Sequence, residues 1–341
     1  MTRLSPAVVF PALVALVLAS LVTGVAVGPV SIPFSDSVRV LSAQIPGLDV
    51  GSVPTHFRTI IMKLRLPRVL AGFFVGGSLA VSGTVMQGLF RNPLATPYIL
   101  GVASGGSAGA ALVILLGFGG ALFLPLGALV GSATVVALVY RLGQGEGGLS
   151  SYTLILAGVA LSALFSALTT FFIYLADPHQ RQRILFWLMG GLWRSNWSMV
   201  KVLAPVSVGG VTLLRLWARD LNALSLGDDA ASHLGVSPET VKKVLLMLAT
   251  LITSVSVAVA GSISFVGLVV PHILRLVIGP DHRRLLLASA LAGGSLLVYA
   301  DVIAKMVFQP SELPVGVLTA FCGAPFFLYL LRRKIGQGRL Q

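Results

Sequence analysis

"RNPLATPYILGVASGGSAGAALVILLG" (residues 91–117) has two readings, and the choice between them decides the fold. In water, its prolines and glycines would mark a loop, because proline breaks helices and glycine weakens them. In lipid, the same stretch is a proline-started helix with small faces for close packing. Composition selects the second reading. Of 341 residues, 56% are hydrophobic and 10% charged, whereas a soluble domain carries about 25% charged residues. So much apolar surface cannot be hidden in one soluble core of this length, so most of the chain lies in lipid. Backbone groups there need internal partners, which leaves helices or a closed barrel. Barrel strands alternate apolar and polar residues. The runs here are continuous and about twenty residues long, so the chain is an all-α polytopic membrane protein.

The first apolar run, Ala7 to Val27, follows Arg3 and carries no charge. It is longer than a leader-peptide core and lacks a clear small-x-small cleavage site, so we read it as a span. Further spans are expected at 65–86, 95–117, 121–140, 152–176, 199–217, 240–261, 263–279, 285–307 and 313–332, ten in all. Ten crossings put both termini on one side. With the termini inside, 14 lysines and arginines fall inside and 10 outside. That supports the orientation modestly and leaves an outside basic excess to explain.

The net charge of +13 does not indicate nucleic acid, because the basic residues are scattered over both faces and form no stripe with aromatics. The lone cysteine, Cys322, excludes an intramolecular disulfide and a cysteine metal cluster. The histidines (His56, His179, His233, His272, His282) lack metal-ligand spacing. Ala103-Ser104-Gly105 lacks the glycine an intramembrane serine protease would place two residues before the serine. There is no G-x-x-x-x-G-K-[ST], so the chain does not bind ATP by a P-loop.

Small residues show how the helices meet. Gly72/Gly76, Gly101/Gly105, Gly105/Gly109 and Gly127/Gly131 each repeat at a four-residue interval, which places glycine on one helix face. A faint internal repeat pairs Ser78–Gly83 with Ser256–Gly261, and Pro97–Leu100 with Pro271–Leu274. Such a repeat would relate spans two and seven in opposite senses, as in transporters with broken helices. Arg91-Asn92-Pro93 is expected to turn at the inner surface, with Pro93 or Pro97 in the first turn of the next helix.

The segment "ARDLNALSLGDDAASHLGVSPETVKK" (218–243) has Leu221, Leu224, Leu226, Ala230, Ala231 and Leu234 on faces too small to enter lipid. Those faces either meet a protein partner at the membrane surface or pack under the bundle. A transporter without its own nucleotide site is either secondary or one half of a two-component machine.

Seven stretches then carry a resemblance: "LRLPR" (64–68), "RNPLATPYILGV" (91–102), "LILAGVAL" (154–161), "FWLMGGL" (186–192), "LNALSLGDDAASHLGV" (221–236), "GSISFVGLVVPHILRLVIGPDHRRLLLASALAGG" (261–294) and "ELPVGVLTAFCGAPFFLYLL" (312–331). In this order they resemble the FecCD family of permeases, the membrane subunits of type II ABC importers for cobalamin, haem and iron–siderophore complexes. The resemblance covers nearly the whole chain. It implies the ten-helix inverted-repeat type II importer fold, one permease domain over 1–341 with a coupling loop at about 218–240, and the prokaryotic cytoplasmic (inner) membrane. It also implies a second permease copy, most simply a homodimer, a pair of ABC ATPase subunits inside and an extracytoplasmic substrate-binding protein outside. No cofactor is expected in this chain; ATP-Mg would sit on the partner ATPase.

Residue by residue, the resemblance assigns Leu224, Ser225, Leu226 and Gly227 to ATPase coupling. Asn92 and Leu94, with Ser150 and Ser151, fall on the inner gate. Arg65 and Arg68 match outer docking arginines, and Lys305 stands where the family often has a third arginine, keeping the charge without the bidentate geometry. Two rivals stay open. An ion-coupled secondary transporter would need intramembrane ionisable groups, and Asp301 with Lys305 at i,i+4 is the candidate pair. A membrane enzyme has no catalytic constellation to support it.

Overall fold

A computed structural model describes residues 4–44, 53–118, 120, 122–145 and 148–335. Helix α1 (Pro6–Ala26) is followed by two short helices the sequence reading did not anticipate, α2 (Phe34–Ser42) and α3 (Thr55–Thr59). Helix α3 runs without a break through a π-helical turn (Ile60–Arg65) into α4 (Leu66–Leu89). The second span therefore begins about ten residues earlier than expected. Its 35 residues reach roughly 50 Å, well beyond a ~30 Å hydrocarbon core.

Pro67 leaves the π turn one donor short. A π-helix pairs each carbonyl with the N–H five residues on, so Met62 O would need the N–H that Pro67 lacks. Trp197 Nε1 supplies the missing donor, 2.7 Å from Met62 O. The backbone account closes through a side chain from a distant helix.

After a 3₁₀ turn (Pro97–Leu100) come α5 (Val102–Leu115) and α6 (Phe123–Gly143), then a ribbon of two-residue strands, β1 (Gln144–Gly145) and β2 (Gly148–Leu149). Helix α7 (Ser151–Leu175) leads to a short α8 (Pro178–Leu188), also unanticipated, and α9 (Trp197–Leu216). Two small helices, α10 (Ala218–Leu224) and α11 (Asp228–His233), precede α12 (Pro238–Ala260), α13 (Val266–Ile278), α14 (His282–Met306) and α15 (Val315–Ile335). Among the described residues, seven helices are long and apolar enough to cross a membrane, and three shorter apolar ones occupy the expected third, eighth and tenth spans.

Helix α4 is the centre of the bundle, with every residue from Val75 to Leu89 buried. It packs on α14, α12, α13, α9 and α1. Lipid offers no hydrophobic drive between helices, so contact depends on close backbones. A Cβ on Gly76 would overlap Gly293 O, and one on Gly83 would overlap Gly267 O. Polar side chains add Ser82 Oγ to Ala249 O at 2.9 Å and Thr84 Oγ1 to Ser289 Oγ at 2.9 Å. Helices α5 and α6 meet in the same way, Gly105 on Gly131 and Gly109 on Gly127. The glycine faces read from the sequence thus pack chiefly against each other.

The expected internal repeat has different local structures in its two copies. Residues 78–83 lie inside α4, whereas 256–261 end α12, where Gly261 turns with φ +70°. Pro97 opens a 3₁₀ turn, while Pro271 sits inside α13.

Candidate functional site

Helix α9 carries the chain from Trp197 at one end of the bundle to α10 at the other, so the two ends are distinguished by connectivity. The end bearing α10 and α11 also holds the turn after α4. There Arg91 takes φ +50°, and Asn92 Oδ1 accepts from Leu94 N at 2.9 Å while Asn92 O accepts from Ala95 N at 3.0 Å. This Asx-type turn reverses the chain into the 3₁₀ segment. Tyr98 Oη then donates to Ile263 O at 2.8 Å and accepts from Ile263 N at 3.3 Å. Both backbone groups of Ile263, in the unwound link between α12 and α13, thereby find partners, as irregular backbone inside a membrane bundle requires.

One carboxylate joins this turn to the small helices. Asp228, in the first turn of α11, lies 3.8 Å from Arg91 Nη2 and pairs closely with Lys242 Nζ of α12. Lys242 is buried, and its ammonium also approaches Leu149 O at 3.5 Å, next to Ser150. Both expected gate segments, 92–94 and 150–151, are therefore wired to α11. Leu94 and Ser150 are exposed, and Asn92 and Ser151 half-buried.

Helix α10 is clamped from another side. Asn222 Nδ2 donates to Asp281 Oδ1 at 2.8 Å, and Asn222 Oδ1 accepts from His282 N at 2.9 Å. Asp281 caps α14, accepting from Arg283 N at 3.1 Å. Partial burial would raise its pKa, but hydrogen bonds from Arg283 and Asn222 outweigh that and hold it at about 2.

The expected coupling residues divide. Leu221, Leu224 and Ala231 are buried in the main core, while Leu226 is 70% exposed and Leu234 64% exposed. Ser225 is exposed and Gly227 half-buried. Leu224 is thus corrected from a contact residue to a core residue, since the inner side of so short a helix must anchor it. The apolar surface left for a partner is Leu226 and Leu234.

At the opposite end, the expected basic patch is also corrected. Arg65 is only 6% exposed. Its guanidinium donates to Val25 O at 2.9 Å and Ala26 O at 2.7 Å, and closely to Val30 O. Helix α1 has no basic residue in its last turn, so Arg65 caps its orphan carbonyls from outside. Arg68 grips Asp301 through Nε and Nη2, both at 2.9 Å, and Glu312 Oε2 through Nη1 at 2.8 Å. Lys305 Nζ stands 3.2 Å from Asp301 Oδ2, and both side chains are under 5% exposed. Two cations and two carboxylates balance, so the suspected Asp301–Lys305 ion-coupling pair belongs to a closed network. These internal partners account for three of the outside basic residues.

The FecCD transport family model matches residues 13–333. The chain belongs to that family. Among similar proteins, a hemin transport system permease, HmuU, of Yersinia pestis is 43% identical over 304 residues, covering 84% of this chain and 90% of its own. The Fe(3+) dicitrate transport system permease FecD of Escherichia coli is 44% identical, covering 87% and 96%. The cobalamin import system permease BtuC of Halobacterium salinarum is 44% identical, covering 83% and 76%. A solved metal-chelate type ABC transporter in an inward-facing conformation superposes with a TM-score of 0.84 at 32% identity, over 96% of this chain and all of that one. This FecCD chain is a multi-pass transport subunit of the cytoplasmic membrane, a permease of the ABC importer class.

Sequence reasoning missed Asp228, Lys242, Asn222 and Asp281. The FecCD segment "LNALSLGDDAASHLGV" contained two of them, but their partners lie far along the chain. Two adjacent acids opening a helix after a glycine were the available signal, and by itself that reads only as helix capping.

Proposed function

We propose that this permease forms one of two copies around a central path, and that a separate ATPase pair drives a metal chelate inward through it. The observation that carries the reading is the chain Arg91–Asp228–Lys242–Leu149 O. A push on α11 from an ATPase moves Asp228, and with it both gate segments. Leu226 and Leu234 give the ATPase an apolar foothold beside them. A substrate-binding protein biases the same equilibrium from the far end; each partner needs only a differential affinity for the two bundle states.

The cargo class follows from relatives that import cobalamin, hemin and iron dicitrate. The whole chain acts as one permease domain, and hydrolysis with its ATP-Mg belongs to the partner, since no P-loop is present. Helices α7 and α6 bury only 17% and 22% of their apolar windows, which leaves surface for lipid and for a second copy. Reconstitution with its ATPase and binding protein in proteoliposomes tests the reading. ATP-dependent accumulation of a chelate supports it, and accumulation driven by an ion gradient without ATP would favour a secondary transporter.

A further inference from the structure

A cavity of about 590 Å³ opens at the end of the bundle opposite α10 and α11. Its rim is α8, whose Arg183 is exposed, together with half-buried Arg194. Aromatic rings of Phe186, Trp187 and Trp193 form the wall, with Phe186 and Trp193 edge to face at 6.3 Å between centroids. Its floor reaches Ala258 and Val259 of α12, just before the unwound link at 261–265.

Three features of this cavity are unexplained by folding. Among the described residues, neither Arg183 nor Arg194 has a carboxylate within ion-pair distance. Burial and the like charge of Arg183 pull the Arg194 pKa down to about 10. Two cations facing each other in a partly dry site repel, and an anion between them relieves that. The third feature is Trp187, 1% exposed, whose buried Nε1–H has no hydrogen-bond partner among the described residues, behind a cavity that His179, Gln182 and Asn196 also line. A buried indole N–H normally finds an acceptor. The scaffold around the site is rigid: Asp177 and Gln180 form a capping box for α8, and Gln180 Nε2 donates to Leu115 O at 3.2 Å, tying α8 to the end of α5.

We infer that this cavity is a subsite for an oxyanion on an apolar or aromatic body, with Arg183 and Arg194 holding the charge and the Phe186 and Trp193 rings packing on the body. The inference rests on the importer reading for its physiological meaning: cargo bearing carboxylates would pause here before entering the path. A phospholipid headgroup offers the same oxyanion chemistry, so the test must separate the two sources.

The permease is placed in phosphatidylcholine nanodiscs and titrated with hemin, which carries two carboxylates, and with hemin dimethyl ester, which carries none. Tryptophan quenching reads occupancy. Hemin is expected to bind at least tenfold tighter than the ester, and Arg183→Gln with Arg194→Gln should erase that difference. The paired Arg→Lys variant should keep most of it, and unchanged gel-filtration behaviour of both variants shows that the fold is intact. Equal binding of hemin and ester, or the same preference in the double Gln variant, overturns the subsite. In discs containing phosphatidylglycerol, loss of hemin binding with arginine-dependent retention of that lipid assigns the cavity to a headgroup and also overturns the cargo role. ATP-driven uptake is measured separately. Uptake with no carboxylate preference in the cavity rejects the subsite alone, whereas a carboxylate preference without any ATP-driven uptake rejects the importer reading alone.

Discussion

Arg91 Nη2 lies 3.8 Å from Asp228 Oδ1, so the turn that ends α4 is tied to the first turn of α11 across a gap of well over a hundred residues. Both side chains are nearly half exposed, and an ion pair of that kind contributes at most about 1 kcal/mol. The partner on the other side matters more. Lys242 is buried and, without Asp228, keeps only Leu149 O at 3.5 Å.

Asp228→Asn should therefore do two things. Leaving a buried ammonium poorly matched lowers stability by about 1–3 kcal/mol, read as a fall in thermal midpoint. It should also reduce substrate moved per ATP hydrolysed by about tenfold, the size of an ordinary coupling energy. Adding Lys242→Met removes the stranded charge, so stability should recover while coupling does not. If coupling recovers with stability, Asp228 is a structural ion-pair partner and no more.

Leu224 and Leu226 should separate cleanly. Leu226→Asp places a charge on a surface that is 70% exposed, so the permease should fold and lose ATPase in copurification. Leu224→Ala empties a core position that is 2% exposed and should lower stability by about 2–5 kcal/mol. Stoichiometric ATPase retained by Leu226→Asp would exclude that residue from the contact.

Asn222 and Asp281 give a pH test. The Asp281 pKa is held at about 2, below its ordinary value of 3.8. A depressed carboxylate contributes stability above the unfolded pKa and loses it as pH falls through the folded one. Wild-type thermal stability should thus carry a contribution that fades from about pH 4 down to about 2. Asn222→Leu removes one of the hydrogen bonds that hold the pKa down, so the contribution should be smaller and its loss should be complete at a higher pH than in the wild type. Superimposable stability–pH curves for the two proteins would show that Asn222 does not set this titration.

How much of this was legible follows from range along the chain. The spans, the glycine faces at 105/109 and 127/131, and the position of the gate turn are written in local pattern, and the structure places helices there. Leu224 and Leu226 sit two residues apart on a short helix and its end, and only the bundle above decides which is covered. Arg65 read as a surface arginine because its partners are carbonyls of residues 25, 26 and 30, which carry no side-chain signature. The helix α8 was missed because its residues are too polar for a span and too short for a strong period.

Two glycines test the packing argument. Gly83 faces the Gly267 backbone, whereas a Cβ on Gly209 would meet nothing within 4 Å. Gly83→Val should collapse the yield of folded permease, because neither α4 nor α13 has a flexible side chain there to give way. Gly209→Val should leave yield and thermal midpoint near wild type. A well-folded Gly83→Val protein would show that the α4–α13 contact is adjustable.

The Arg68 network makes the last test. Asp301 is 4% exposed and serves both Arg68 and Lys305, so Asp301→Asn should be the most damaging change in the cluster. Removing one partner of a buried charge network costs about 3–5 kcal/mol. Glu312 is 30% exposed, so Glu312→Gln should cost no more than about 1 kcal/mol. That same change takes the negative charge away from Arg68, which lines an outer cavity of about 380 Å³ with Glu312 and Trp193. If a carboxylate of the binding protein competes with Glu312 for Arg68, Glu312→Gln should quicken association of the loaded binding protein. Arg68→Gln should slow it and flatten its salt dependence, since charges at a rim act mainly on association rate. Surface plasmon resonance at two ionic strengths reads both. Unchanged association in Glu312→Gln and Arg68→Gln, alongside the expected stability losses, would leave Arg68 as a structural arginine and move docking to other residues of that face.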